Sequence, residues 1–172
     1  MNMTNPTTGL PSGRLIEDEL RPLANKNGWT FLQIRIDYYD EFTTKYGPLA
    51  GGEVLRFMSM LINEVVNEIG TLYDFVGHLG EESFIIITYC DETDNLIEEL
   101  EERFNERIPN HYDFSDRMGN GITMPDGSTK PFMQLLIGGA SSQGDFADTA
   151  DIITTVNERM LANLRLQETA TN

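Results

Sequence analysis

The feature that most limits what this chain can become is the run Phe84-Ile85-Ile86-Ile87, which follows the polar stretch Gly80-Glu81-Glu82-Ser83. Four consecutive large apolar residues do not alternate with polar ones, so they describe a strand covered on both faces. Such a strand needs a sheet with a second layer on each side. Residues 72–79 form another strand-like run, and the short Gly-bearing polar connection between the two reads as a hairpin. Residues 29–37 give a third strand by alternation: Leu32, Ile34 and Ile36 point one way, Phe31, Gln33, Arg35 and Asp37 the other.

Helical periodicity fills the intervals. Leu15, Ile16, Leu20 and Leu23 recur at helical spacing, with Pro22 expected to kink or fray that first helix. Val54, Met58, Leu61, Val65 and Ile69 make one stripe over residues 50–69, Leu96, Leu100, Phe104 and Ile108 another, and a last helix is expected from about Asp148 to Leu166. A second hairpin is expected to turn at Pro125-Asp126-Gly127, because Pro presets the turn and Gly tolerates positive φ. Its return strand would occupy residues 131–140. The order βαββαββα predicts an α+β fold, a central sheet of roughly five mostly antiparallel strands flanked by helices. Leu32, Ile34, Ile36, Ile85 and Ile87 are expected among its most buried residues. No linker divides the 172 residues, which read as one domain with 1–4 and 168–172 as frayed tails.

Charge narrows the function. Twelve Lys and Arg against 28 Asp and Glu leave a net −16, a field that repels phosphate backbones and argues against nucleic-acid binding. A nucleoside triphosphate would need a local cationic pocket or Mg²⁺ to overcome it. Eight acids and two arginines between Asp91 and Arg107 read as the solvated face of the third helix, with an acidic protein-docking surface as the alternative. The lone Cys90 forms no internal disulfide and suits a reducing cytosol. Met1–Gly13 lacks the pattern of a secretory signal, and no segment approaches the ~20 apolar residues of a membrane span, so the expected location is cytoplasmic.

Few motifs carry chemistry without help. Glu81 and Glu82 at a hairpin tip beside His78 could take a divalent cation, since hard cations prefer oxygen, but a polar turn explains them as well. Ser83 lacks the flanking glycines of a nucleophile elbow, and the stretch from Gly47 to Gly52 lacks the Lys-Ser/Thr of a phosphate loop. Gly138-Gly139 in an apolar strand indicates close backbone packing, and His111 reads as a surface residue.

Four short strings, in order and at suitable spacing, resemble the GGDEF domain of the diguanylate cyclase family. Asn5-Pro6-Thr7-Thr8-Gly9-Leu10-Pro11-Ser12-Gly13-Arg14 is similar to the family's opening D-x-L-T-G-L-P-N-R. Residues 47–56, beginning Gly47-Pro48-Leu49-Ala50-Gly51-Gly52, resemble its G-H-x-x-G-D-x-x-L segment. Gly80-Glu81-Glu82-Ser83-Phe84 occupies the signature hairpin, and Leu136-Ile137-Gly138-Gly139-Ala140 resembles the later S-I-G-V-A strand. The resemblance implies a nucleotidyl-cyclase-like palm on which two domains, each holding GTP with Mg²⁺, meet to make cyclic di-GMP.

The same resemblance implies a degenerate site. The family's first metal-binding Asp falls at Arg35, and the second survives as Asp37; its phosphate-contacting Lys falls at Asp40, and its guanine-reading pair at Thr43 and Gly52. The signature retains Gly80 and Phe84 but carries Glu81, Glu82 and Ser83 between them. The late phosphate-binding Lys falls at about Leu164, and the inhibitory R-x-x-D site reads Thr71-Leu72-Tyr73-Asp74, without its Arg. Phosphoryl transfer depends on cations that neutralise charge developing on phosphate, and a Gly lets the backbone approach closely. The implied function is a catalytically inactive module, a signalling scaffold or protein-interaction output in bacterial signal transduction, with no catalytic or nucleotide-binding residue expected and no cofactor. Its implied partners are proteins, fused receiver (as in a response regulator) or sensor domains, or a second copy in a homodimer. Alternatives are a GTP or cyclic di-GMP receptor without turnover, and an active cyclase with Mg²⁺ on Glu82 and Asp37. If the metal is lost, the Arg35 guanidinium is expected within ~4 Å of Glu82 or Asp37 in its place.

Overall fold

The structure, a computed structural model, describes residues 3–170, and side chains over 3–166. Strand β1 (Thr30–Asp37) lies between β3 (Ser83–Thr88) and β6 (Gln134–Ser141), and β2 (Phe75–His78) pairs with β3 on its far side. The order is β2-β3-β1-β6, and every pairing is antiparallel. The signature hairpin therefore joins β2 to β3, and its tip sits beside the C-terminal end of β1.

Alternation along the strands divides the core in two. Leu32, Ile34 and Ile36, with Phe84 and Ile86, face a large cluster with Val54, Met58, Leu61 and Val65 of α3 (Pro48–Ile69) and Leu96, Leu100 and Phe104 of α4 (Thr93–Arg107). Phe31, Ile85 and Ile87 face a smaller cluster under α1 (Arg14–Leu20) and α6 (Thr149–Ala170), with Ile16, Leu20, Ile152 and Val156. Both faces of β1 and β3 are thus covered, which is why Phe84–Ile87 carries no polar alternation. The five residues expected to be deepest, Leu32, Ile34, Ile36, Ile85 and Ile87, are each exposed by 1% or less. Gly138 shows why a glycine stands in β6: a Cβ there would lie 2.3 Å from the Val156 carbonyl oxygen and 2.7 Å from the Met160 amide nitrogen of α6. Pro22 falls where expected, ending α1 and opening a 3₁₀ turn over Arg21–Asn25.

Three features differ from the sequence reading. The main sheet has four strands rather than five. The turn at Pro125–Gly127 does form, with the Met124 amide donating to the Ser128 carbonyl at 2.8 Å. However, it closes only a two-residue ribbon, β4 (Ile122–Thr123) with β5 (Thr129–Lys130). Pro131, without an N–H, ends that ribbon, and the chain continues into β6 to pair with β1. Two short helices also went unforeseen, α2 (Tyr39–Tyr46) and α5 (Phe114–Met118), because eight and five residues hold too few turns to show a period. Of the expected tails, residues 1–2 and 171–172 lie outside the described residues. Thr4 is bridged to Pro11, and α6 continues to Ala170.

Candidate functional site

The signature hairpin closes tightly over the end of β1. Leu79 and Gly80 amides donate to the Ser83 carbonyl at 2.8 and 3.2 Å, Ser83 pairs with Arg35, and the Ile36 amide donates to the Glu82 carbonyl at 3.0 Å. Immediately beyond, Tyr38 adopts φ 62°, and its amide donates to the Asp37 carboxylate at 3.0 Å, turning the chain into α2. The turn brings Tyr39 and Asp40 toward the hairpin tip. Arg35, Asp37, Glu82 and Ser83 are half-buried there, Asp40, Gly80 and Glu81 exposed, and Phe84 fully buried. On the helices beside them, Thr43 donates to the Asp40 carbonyl at 3.0 Å, and Gly52 of α3 sits under Arg56, whose guanidinium would be 3.6 Å from a Cβ there.

Electrostatics record how these groups crowd. Burial pushes the Tyr39 phenol up to about 12, with Glu81, Glu82 and Asp40 adding to it in that order. Burial also raises Glu82 above the usual carboxylate range; its own backbone amide opposes this, Asp40 and Glu81 reinforce it, and Arg35 opposes it least. Asp40, Glu81 and Glu82 thus all act on the buried Tyr39 phenol, and Arg35 offsets Glu82 only weakly.

Arg35 does not replace a metal as expected. Among the described residues its guanidinium forms no ion pair within 4.0 Å, with Glu82, Asp37 or any other acid. For Glu82 the register explains it: cross-strand neighbours share a face, so Arg35 lies on the face of Ser83 while Glu82, opposite Ile36, continues onto the other. Among the described residues no three His, Cys, Asp or Glu side chains form a group that could hold a metal ion by themselves, so Mg²⁺ on Glu82 and Asp37 would need phosphate oxygens and water to complete its shell.

His78 has a different part from that of a ligand. Its Nε2–H donates to the Glu81 carbonyl at 2.8 Å, its Nδ1 lies 2.9 Å from the Thr8 hydroxyl, and its ring stacks on Phe84 at 4.4 Å. A carbonyl only accepts, so Nε2 carries the proton and Nδ1 accepts from Thr8. Both nitrogens are committed, at 1% exposure, and burial pulls the imidazole below its ordinary range. The His78 amide also donates to the Pro11 carbonyl at 2.8 Å. The residues that resemble the family's opening turn are thereby tied to the hairpin.

Thr71 and Asp74 lie at the opposite end of β2, away from the tip. The Asp74 carboxylate accepts from the Thr71 amide (3.0 Å) and hydroxyl (2.6 Å), the Thr88 hydroxyl (2.5 Å) and the Tyr89 amide (2.9 Å). It clamps the start of β2 to the end of β3. A buried acid escaped the sequence reading: Asp116 accepts from Lys45 at 2.7 Å, from the Tyr46 hydroxyl and from the Thr123 amide at 3.3 Å, fastening α2 to α5. No local signal marks a contact between residues about seventy apart. Tyr39 and Thr8 were missed for the same reason.

The family model described as diguanylate cyclase, GGDEF domain, matches residues 2–169. No curated relative matches the chain. Among solved structures, the chain is similar to the GGDEF domain of DgcB from Caulobacter crescentus in complex with c-di-GMP (16% identity, 96% of this chain and 91% of that one, TM-score 0.67). It is also similar to the GGDEF domain of FimX from Pseudomonas aeruginosa (15%, 96% and 95%, TM-score 0.68). A third is diguanylate cyclase SiaD from Pseudomonas aeruginosa in complex with its activator SiaC (13%, 95% and 58%, TM-score 0.67). At these identities the structural likeness shows the α+β fold. With the family model spanning nearly every residue and the signature hairpin seated beside β1, the chain belongs to the GGDEF domain family of diguanylate cyclases.

Proposed function

We propose that this GGDEF domain is catalytically inactive and serves as a scaffold or protein-interaction output in bacterial signal transduction. The observation that carries the reading is the acidic character of the hairpin tip, where Asp40, Glu81 and Glu82 all act on the buried Tyr39 phenol and Arg35 forms no ion pair with Glu82. A triphosphate would meet carboxylates where its charge needs neutralising, and phosphoryl transfer fails without that neutralisation. The Glu81 side chain adds bulk at the turn where the resemblance has a second Gly. SiaD, solved with its activator, offers a precedent for the fold engaging a protein.

The test is incubation with GTP and Mg²⁺ followed by chromatography for cyclic di-GMP, alongside thermal shift with each nucleotide. We expect no product and no shift. A ligand at ~100 times its dissociation constant would add ~2.7 kcal/mol of stability, an easily read change. Cyclic di-GMP formation overturns the inactive reading, and a shift without product favours a nucleotide receptor instead.

A further inference from the structure

We propose that the turn at Leu72–Tyr73, with the hollow beside it, is a protein-docking surface whose occupant is a partner presenting an apolar pocket ringed by Lys or Arg. The inference rests on the protein-interaction reading above and gives it a place on the fold. Leu72 is 101% exposed and Tyr73 84%, adjacent at a turn where Gly, Asn, Asp or Ser would ordinarily stand. Single exposed apolar residues are common; here two adjoin, and Tyr is among the residue types that most often anchor an interface.

The turn is held in one conformation. The Asp74 carboxylate takes four donors from Thr71, Thr88 and Tyr89, the Tyr73 amide donates to the Thr71 hydroxyl at 3.3 Å, and the Asp74 amide donates to the Thr71 carbonyl at 3.2 Å. Folding has therefore already ordered the backbone that presents the two side chains, which removes that cost from binding. Beside them a hollow of about 470 Å³ is lined by Tyr73, Tyr89, Glu19, Lys26 and Asn27, giving the pair an adjoining socket.

Charge selects the occupant. Glu19 borders the hollow and exposed Asp91 and Glu92 follow the β3 end that Asp74 clamps, while Lys26 is the one cation among the residues lining the hollow. A second copy would carry the same net −16, so long-range electrostatics opposes its approach, whereas a basic rim is attracted.

The experiment places the photocrosslinker p-benzoylphenylalanine at position 72 of the full chain, irradiates it in its native cells, and purifies the protein it captures. That protein is then titrated by calorimetry against the wild-type chain and L72A/Y73A at about 50 and about 300 mM NaCl, a change that shortens the screening length about 2.4-fold. We expect binding about tenfold weaker in L72A/Y73A, whose exposed positions leave the urea midpoint unchanged, and weaker again at high salt. Absence of a crosslink from position 72, equal affinity for both chains, insensitivity to salt, or a crosslink to a second copy overturns the proposal. The two readings fail separately. A chain that makes cyclic di-GMP yet loses its partner in L72A/Y73A is not inactive but keeps the surface, while an inactive chain whose binding ignores L72A/Y73A loses only the surface.

Discussion

Replacing Asp74 by alanine removes the acceptor on which two ends of the sheet converge. Of its four donors, the Thr71 amide and hydroxyl are half-exposed and can turn to water, whereas Thr88 is 0% exposed and the Tyr89 amide lies against it. Each stranded buried donor costs ~1–3 kcal/mol, so D74A should lose about 3 kcal/mol in all. With a urea m-value of ~2 kcal/mol per molar, the midpoint falls by ~1.5 M. Asp74→Asn is the informative companion. Its carbonyl can keep the Thr71 hydroxyl and Tyr89 amide while its NH₂ donates to the Thr88 hydroxyl, which accepts as readily as it donates. Only the Thr71 amide then loses its partner, so D74N should cost ~1 kcal/mol. A midpoint shift in D74A below ~0.3 M, or a D74N as damaging as D74A, refutes the account of this carboxylate as a shared acceptor.

Two further outcomes test the packing around the site. Burial holds the His78 imidazole below its ordinary 6.5, the backbone contacts at Glu81 and Gly80 pulling the other way. The unfolded chain therefore takes up the proton first, and the His78 contribution is lost as pH falls below 6.5. His111, depressed by burial, acts in the same sense, and Glu82 and Glu101, raised by burial, act oppositely. The readout is thus a difference: between about pH 7.5 and about pH 5.5 the urea midpoint should fall further in the wild type than in H78Q, and parallel slopes would sink the assignment. Gly138→Ala should lower stability by about 2 kcal/mol or more, because the new Cβ meets the backbone of α6 on both sides rather than a side chain that can turn away. Thermal melting indistinguishable from wild type would show that α6 yields more easily than its contacts indicate.

What could be read from the chain was whatever depends on near neighbours. Period two placed Leu32, Ile34 and Ile36 on one face of β1, helical spacing placed Leu96, Leu100 and Phe104 inward, and the apolar run after Gly80–Ser83 required a sheet covered on both sides. The short strings around Gly9, Gly47, Gly80 and Gly138 carried the family resemblance, because glycines at turns and close approaches are local backbone requirements.

The site was legible as a set of positions and not as a set of contacts. Arg35 was foreseen near the end of β1 and Glu82 on the hairpin opposite it, yet one step of register put them on different faces, and no charge pattern along the chain encodes that step. Residues 131–140 were read as a strand, but its partner is β1 rather than its own hairpin, since Pro131 breaks the ribbon and the free edge of β1 takes up Gln134–Ser141 instead. His78 with Thr8, Asp74 with Thr88 and Asp116 with Lys45 join residues 70, 14 and 71 apart in sequence. Composition and periodicity act over a few residues, so they decided which segments are helix or strand, which faces are apolar, and that the chain is strongly acidic. Which carboxylates come near the Tyr39 phenol at the hairpin tip, and which are clamped by internal donors, was decided only by packing, because those energies exist only once distant segments are brought together.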